Sequence, residues 1–265
     1  MSSLTISIIQ SELFWEDKQA NLSMFETKIM GIQERTEIVV LPEMFSTGFS
    51  MRPKQMAESM EGETVSWMKK IAAAKKIILT GSVIITENGH FYNRLLWVLP
   101  NGELGFYDKR HRFAFAGEDK EYTAGNKRLI ASVKGWKINL QVCYDLRFPV
   151  WARQQPGDTL EYDVLLYVAN WPERRSTAWK TLLAARAIEN QCYVIGVNRV
   201  GNDGNNIYHA GDSMVIDALG NILYHKTGEE AIHTMVLQKE PLQEIREKFP
   251  FWKDADHFKI MQDGE

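Results

Sequence analysis

Trp136-Lys-Ile-Asn-Leu-Gln-Val-Cys143-Tyr-Asp-Leu-Arg-Phe-Pro149 is an apolar strand that runs straight into a turn. Residues 136–142 alternate as a half-buried strand does, and Phe148-Pro149 begins a new element, because the residue before a proline is pushed out of helical conformation. Cys143 stands at the junction, presented at a strand end instead of packed in its middle. A free thiol titrates near ~8.5 and the thiolate is the reactive species, so a working cysteine here needs a base or a cation beside it. Arg147, four residues on, brings positive charge near the sulfur or near a carboxylate of the same site. Most cysteines are small buried hydrophobes, and Cys192, opening the apolar run Cys192-Tyr-Val-Ile-Gly-Val197, fits that description. With two cysteines and no CxxC spacing, neither a disulfide framework nor a zinc site accounts for Cys143.

Strand and helix patterns alternate on both sides of this stretch. Residues 4–10, 37–41, 77–85, 91–99, 164–168 and 193–200 are apolar runs of strand length. Residues 18–32, 65–75 and 177–190 carry helical spacing. Residues 212–217, 222–226 and 231–237 close the series as strands, and residues 241–256 read as a helix followed by an extended tail. That tail is expected at the edge of the fold or across a dimer interface. Interleaved strands and helices mean sheets covered by helices, an α/β protein. Strand-rich stretches in both halves point further, to two sheets face to face in a four-layer αββα sandwich. No linker or repeat divides the chain, so residues 1–265 are expected to form one domain.

The net charge of −3 comes without a dense basic cluster, which argues against nucleic acid as a partner. No stretch approaches the ~20 apolar residues of a membrane span. The first residues lead directly into the strand at 4–10 with no targeting pattern, so a cytoplasmic location is expected.

Two more strand tips carry chemistry. Glu43 follows the apolar run Val39-Val-Leu-Pro42, and Lys109 follows the short strand after the turn at Asn101-Gly102. Alone, each is ordinary: acids are common in loops, and Lys109 lies in a basic segment, Lys109-Arg-His-Arg112. Together with Cys143 they form a site. Glu43 can take the thiol proton as sulfur attacks a carbonyl carbon and return it to a leaving nitrogen. Lys109 can stabilise the oxyanion, a role in which one donor is worth ~3–4 kcal/mol, and the Tyr144 N–H is the natural second donor. His111 is placed to orient Lys109 or another side chain, or to serve the structure alone.

These residues resemble the nitrilase superfamily, the carbon–nitrogen hydrolases with a Glu-Lys-Cys triad. The matching strings are Leu41-Pro-Glu-Met-Phe45, Tyr107-Asp-Lys-Arg-His111, Cys143-Tyr-Asp-Leu-Arg-Phe-Pro149, Val168-Ala-Asn-Trp171, Ala185-Arg-Ala-Ile-Glu-Asn190 and Gly211-Asp-Ser through Asp217-Ala-Leu-Gly220. They appear in the family's order across nearly the whole chain. The resemblance implies the αββα sandwich, no metal or organic cofactor, and a homodimer or larger homo-oligomer. It also implies a second pocket glutamate near the lysine. Glu118 stands at the matching distance, with Glu121 as competitor and Asp119 behind it.

Within the superfamily the chain lacks the Trp-Glu that follows the cysteine of true nitrilases. Phe148-Pro-Val-Trp-Ala-Arg153 and Ala169-Asn-Trp-Pro-Glu-Arg-Arg175 look like bacterial ω-amidases. That likeness implies cleavage of the terminal amide of 2-oxoglutaramate and 2-oxosuccinamate through a thioester; an aliphatic amidase, carbamoylase, nitrilase or silent binding protein is the alternative. A small anionic amide needs a cation at its far carboxylate, and guanidinium suits that by bidentate pairing. Arg174 or Arg175 is the candidate, with Trp171 as pocket wall and Thr177 as a hydrogen-bond donor. Phe45 and Phe113 are further candidate walls, although aromatic residues are more often core. Arg147, and Arg186 with Glu189, read as structural ion pairs around the site.

Overall fold

A computed structural model of the chain describes residues 2–155, 157 and 159–261. The first half runs β1 (Ser3–Gln10), α1 (Lys18–Met30), β2 (Ile38–Val40), α2 (Glu63–Lys75), β3 (Ile78–Glu87), β4 (His90–Val98) and β5 (Leu104–Asp108). The second runs β6 (Ile130–Val133), β7 (Trp136–Val142), β8 (Val164–Ala169), α3 (Ser176–Asn190), β9 (Tyr193–Asn198), β10 (Val200–Asn202), β11 (Tyr208–Ile216), β12 (Ile222–Thr227), β13 (Ala231–Gln238) and α4 (Lys239–Lys248). Short helical turns fill several of the connections.

One sheet has the order β13-β1-β2-β3-β4-β5, and the other β10-β11-β9-β8-β7-β6, with β12 added alongside β11. β1, β2 and β3 are parallel, as are β7, β8 and β9. Parallel neighbours need long crossovers; α1, α2 and α3 supply three of them, and the short turns Cys143–Arg147 and Pro149–Ala152 lie in the fourth, from β7 to β8. β13 returns antiparallel to β1, with Ser3 opposite Gln238, so the end of the chain completes the sheet that its beginning starts.

The two-residue period of a strand decides the layers. Ile38 and Val40 point between the sheets, where they join Ile6, Ile138, Leu140 and Val164 in one core. Val39 and Leu41 point the other way, onto Phe25 and Ile29 of α1 and Met68 and Ile71 of α2. Trp179, Leu183 and Ala187 of α3 cover the outer face of the second sheet. Gly196 makes that contact possible, since a Cβ there would lie 2.5 Å from Leu183 and 2.8 Å from Trp179. Each aliphatic side chain fully buried this way contributes ~1.5–3 kcal/mol. The result is the expected αββα sandwich.

Some local expectations change. β7 is buried on both faces, with Lys137 the exposed exception; of its polar residues, Gln141 Nε2 donates to Asn139 Oδ1 at 3.0 Å beneath the covering layer. The strand expected over 193–200 breaks at Arg199 into β9 and β10. After α4 the tail forms a further helical turn, Phe251–Asp254, where an extended segment was expected. It packs against its own chain: Gln191 Nε2 donates to the Phe249 carbonyl at 2.7 Å and the Trp252 N–H donates to Gln191 Oε1 at 3.2 Å, while Arg246 of α4 donates to Asp163 at 2.9 Å. Among the described residues, no helix is long and apolar enough to cross a membrane.

Candidate active site

β2, β5, β7 and β8 point their carboxyl ends to one end of the sandwich, the usual place for a site in an open α/β sheet. Glu43, Lys109, Cys143 and Asn170 follow those four strands directly. Lys109 Nζ donates to Glu43 Oε1 at 2.9 Å and to Glu118 Oε1 and Oε2 at 3.0 and 2.8 Å. All three side chains are buried. Glu118, and not the exposed Glu121 or Asp119, is therefore the acid of that segment that meets Lys109. The left-handed Gly117 (φ +81°) turns the chain so that Glu118 faces inward, where it also accepts the Phe113 N–H at 2.5 Å.

Two asparagines fix Glu43. Asn93 Nδ2 donates to Glu43 Oε1 at 2.8 Å and to Glu118 Oε1 at 3.3 Å, and the Asn170 N–H donates to Glu43 Oε2 at 2.7 Å. Neither was singled out from the sequence. Asn93 had a signal, an amide residue in the middle of an apolar strand, where asparagine is depleted. Asn170, in Val168-Ala-Asn-Trp171, also donates from Nδ2 to the Glu43 carbonyl.

Cys143 opens a helical turn, Cys143–Arg147, in the left-handed region (φ +43°). That conformation is costly for a residue with a Cβ, and it lifts the sulfur out of the strand direction. Asp145 holds the turn in place. It accepts the Val142 N–H at 3.0 Å, the Tyr107 hydroxyl at 2.8 Å and the His111 N–H at 2.9 Å. His111 Nδ1 lies 2.8 Å from the same carboxylate, so His111 orients Asp145 and not Lys109. The cysteine turn and the lysine segment are thereby tied together. Asp145 was also missed, although an acid three residues past a strand end can cap the turn that begins there.

Burial pushes the Cys143 thiol well above its ordinary value, and the Glu43 charge adds to this while Lys109 opposes it. Burial, with the Glu43 charge behind it, thus disfavours a thiolate at the resting sulfur. Burial works against the Lys109 ammonium, but Glu118 and then Glu43 more than offset it and raise its pKa. Burial likewise raises the Glu118 carboxyl, against the pull of Lys109.

Cys143 opens into a cavity of about 570 Å³. Phe113, Tyr144 and Trp171 line it, and so do Arg147, Arg174 and Arg175. The Arg175 guanidinium lies 4.8 Å from the Phe113 ring centre, and that of Arg147 lies 5.0 Å from the Trp171 ring centre. Among the described residues no carboxylate pairs with these three arginines, whereas Arg186 pairs with Glu189 at 3.0 Å as expected. Arg147 is thus a pocket cation and not half of an ion pair. Phe45 is not a wall: the left-handed Met44 turns the chain away, and Phe45 packs edge-on to Phe25 in the core under the helices. Thr177 is exposed and does not line the cavity, because one helical step beyond the inward-facing Ser176 it points away. Cys192 is buried in the core.

The sequence pattern of the Carbon-nitrogen hydrolase family matches residues 5–247. The chain belongs to that family. This carbon-nitrogen hydrolase is 45% identical to the protein named Omega-amidase YafV of Yersinia enterocolitica, across 98% of this chain and 100% of that one. It is 32% identical to the 2-oxoglutaramate amidase of Bacillus subtilis, across 94% and 96% of the two chains. Among solved structures it is similar to XC1258 of Xanthomonas campestris, described as a CN-hydrolase superfamily protein with an arsenic adduct in its active site. The TM-score is 0.96 and the identity 44%, with 98% of this chain and 100% of that one covered. Like its family, the chain is an amide-hydrolysing enzyme.

Proposed function

We propose that the enzyme hydrolyses the terminal amide of small 2-oxo acid ω-amides, 2-oxoglutaramate and 2-oxosuccinamate, to the 2-oxo diacid and ammonia. The observation that carries this reading is the set of arginines without carboxylate partners in the cavity above Cys143. Glu16, paired with Arg52, and Asp203 line the same cavity, but guanidinium groups that pair with no carboxylate favour a substrate that brings its own. Arg175, partly buried and seated on Phe113, is the better placed of the two candidates for that carboxylate, and Arg147 faces it from beside Trp171. Arg174 is exposed on the rim. The names of the relatives support the same substrate class.

Glu43 takes the Cys143 proton as sulfur bonds to the amide carbon, and the carbonyl electrons move onto oxygen. Lys109 and the Tyr144 N–H stabilise that oxyanion. The carbon–nitrogen bond breaks as Glu43 returns the proton to nitrogen, releasing ammonia and leaving a thioester. Water, deprotonated by Glu43, attacks the thioester; the carbon–sulfur bond breaks, the acid leaves, and the proton returns to sulfur. Asn93 and Asn170 keep the Glu43 carboxylate aimed throughout. The reading includes one domain over residues 1–265, a homo-oligomer and a cytoplasmic location; light scattering of the purified protein checks the second of these.

The deciding measurement is ammonia release from 2-oxoglutaramate, with glutamine and a simple nitrile alongside and Cys143→Ala as blank. Turnover of the oxo-amide alone, abolished in the variant, is expected. Activity that survives in Cys143→Ala refutes the mechanism, and cysteine-dependent turnover of another substrate in preference refutes the substrate class.

A further inference from the structure

The loop between β8 and α3 carries Trp171, Arg174 and Arg175 to the cavity, and a residue from another strand holds each of its ends. At one end Asn198 Oδ1 accepts the Trp171 N–H at 2.8 Å, while Asn198 Nδ2 donates to the Trp171 carbonyl at 2.9 Å. At the other, Ser176 Oγ donates to Asp212 Oδ2. The Trp171 indole N–H spans the loop and donates to the Arg175 carbonyl at 2.9 Å. Trp179, one turn into α3, donates its indole N–H to the Asp212 carbonyl at 2.8 Å.

Asp212 reaches this place through an irregular strand. Gly211 and Asp212 both have positive φ, +78° and +57°, and the β11–β12 register shifts between Gly211 and Ser213. Such a bulge re-aims a side chain, and aspartate and asparagine tolerate the left-handed region better than other residues with a Cβ. The other carboxylate oxygen lies 2.7 Å from His225 Nε2 and 3.8 Å from Lys180 Nζ. α3 has no side-chain cap of its own and no acid in its first turn. Asp212 supplies from β11 the negative charge that a helix start favours.

We propose that Asp212 is a positioning residue for substrate recognition: by holding Ser176 and Trp179 it sets the adjoining Arg175 to meet the carboxylate of the substrate. The proposal rests on the anionic-amide reading above. Among the described residues, Asp212 makes no hydrogen bond or ion pair to Glu43, Lys109, Glu118 or Cys143, so its loss weakens binding of the anion and spares the chemistry.

The test is steady-state kinetics of Asp212→Ala, Asp212→Asn and Ser176→Ala on 2-oxoglutaramate and on neutral butyramide. Asp212→Ala is expected to raise KM for the oxo-amide about tenfold with kcat within about twofold, leaving kcat/KM for butyramide within about twofold. Ser176→Ala should move KM the same way by less. Asp212→Asn, which tolerates the backbone and keeps an acceptor for Ser176, should recover most of the loss. Equal losses on both amides, or an unchanged KM in Asp212→Ala, overturns the proposal. A wild-type enzyme without preference for the anionic amide refutes the substrate reading and this proposal with it, and shows before any variant is made, so the two failures are distinguished.

Discussion

Glu43 and Glu118 accept hydrogen bonds from one and the same ammonium, Lys109 Nζ, at 2.9 Å and 2.8 Å in a site closed to solvent. Two acidic side chains thus share one cation beside the nucleophile. Burial first, and then the Glu43 charge, disfavours ionisation of the Cys143 sulfur, and Glu43 is the acid placed to accept its proton.

Glu118→Gln tests the second carboxylate. Glutamine keeps the shape and an acceptor for the Phe113 N–H but removes a charge that steadies Lys109. Because Lys109 acts on the developing oxyanion, kcat should fall by about 10²–10³ with KM changed little. Steady-state ammonia release reads both constants.

Thiolate absorbance in the ultraviolet, followed against pH, tests the resting state of Cys143. Its midpoint should lie above the ~8.5 of a free thiol. Cys192, buried in the core and pushed up to about 12, stays silent over most of that range. Glu43→Gln removes the neighbouring negative charge and leaves Lys109, so the Cys143 midpoint should move down. A midpoint that rises in this variant contradicts the electrostatic account.

Phe45→Ala separates the core from the pocket. Phe45 lies 5.6 Å from the Phe25 ring centre and 5.9 Å from that of Trp67. Emptying that position should lower unfolding free energy by ~3–5 kcal/mol. Urea unfolding measures the loss, and the KM of the protein that stays folded should be unchanged.

His209, in the cavity wall, makes stability depend on pH. Burial, and then the Arg199 charge, lowers its pKa from 6.5 to about 4. Below pH 6.5 the unfolded chain binds a proton that the folded chain refuses. The stabilisation is therefore complete above 6.5 and is lost as pH falls toward 4, by up to ~3 kcal/mol. Unfolding free energies between pH 7 and 5 should show that slope, and His209→Gln should flatten it.

The alternation of apolar runs with helical spacing was enough to read the α/β class, and strand-end placement was enough to group Glu43, Lys109 and Cys143 as one candidate site. Both depend on a residue's near neighbours: a strand's two-residue period and a turn's chemistry are written within a few positions of each other. Glu118 over Glu121, Phe45 in the core, Thr177 turned outward and Arg147 without a carboxylate depended on which way a backbone turn or helical step points. Left-handed residues such as Met44 and Gly117 set that direction, and their conformation depends on what they pack against. Asn93, Asn170 and Asp145 gained their roles in the same way. Asn170 lies 127 positions from the carboxylate it holds, and only the packing of the two sheets brings these strand ends within hydrogen-bond reach.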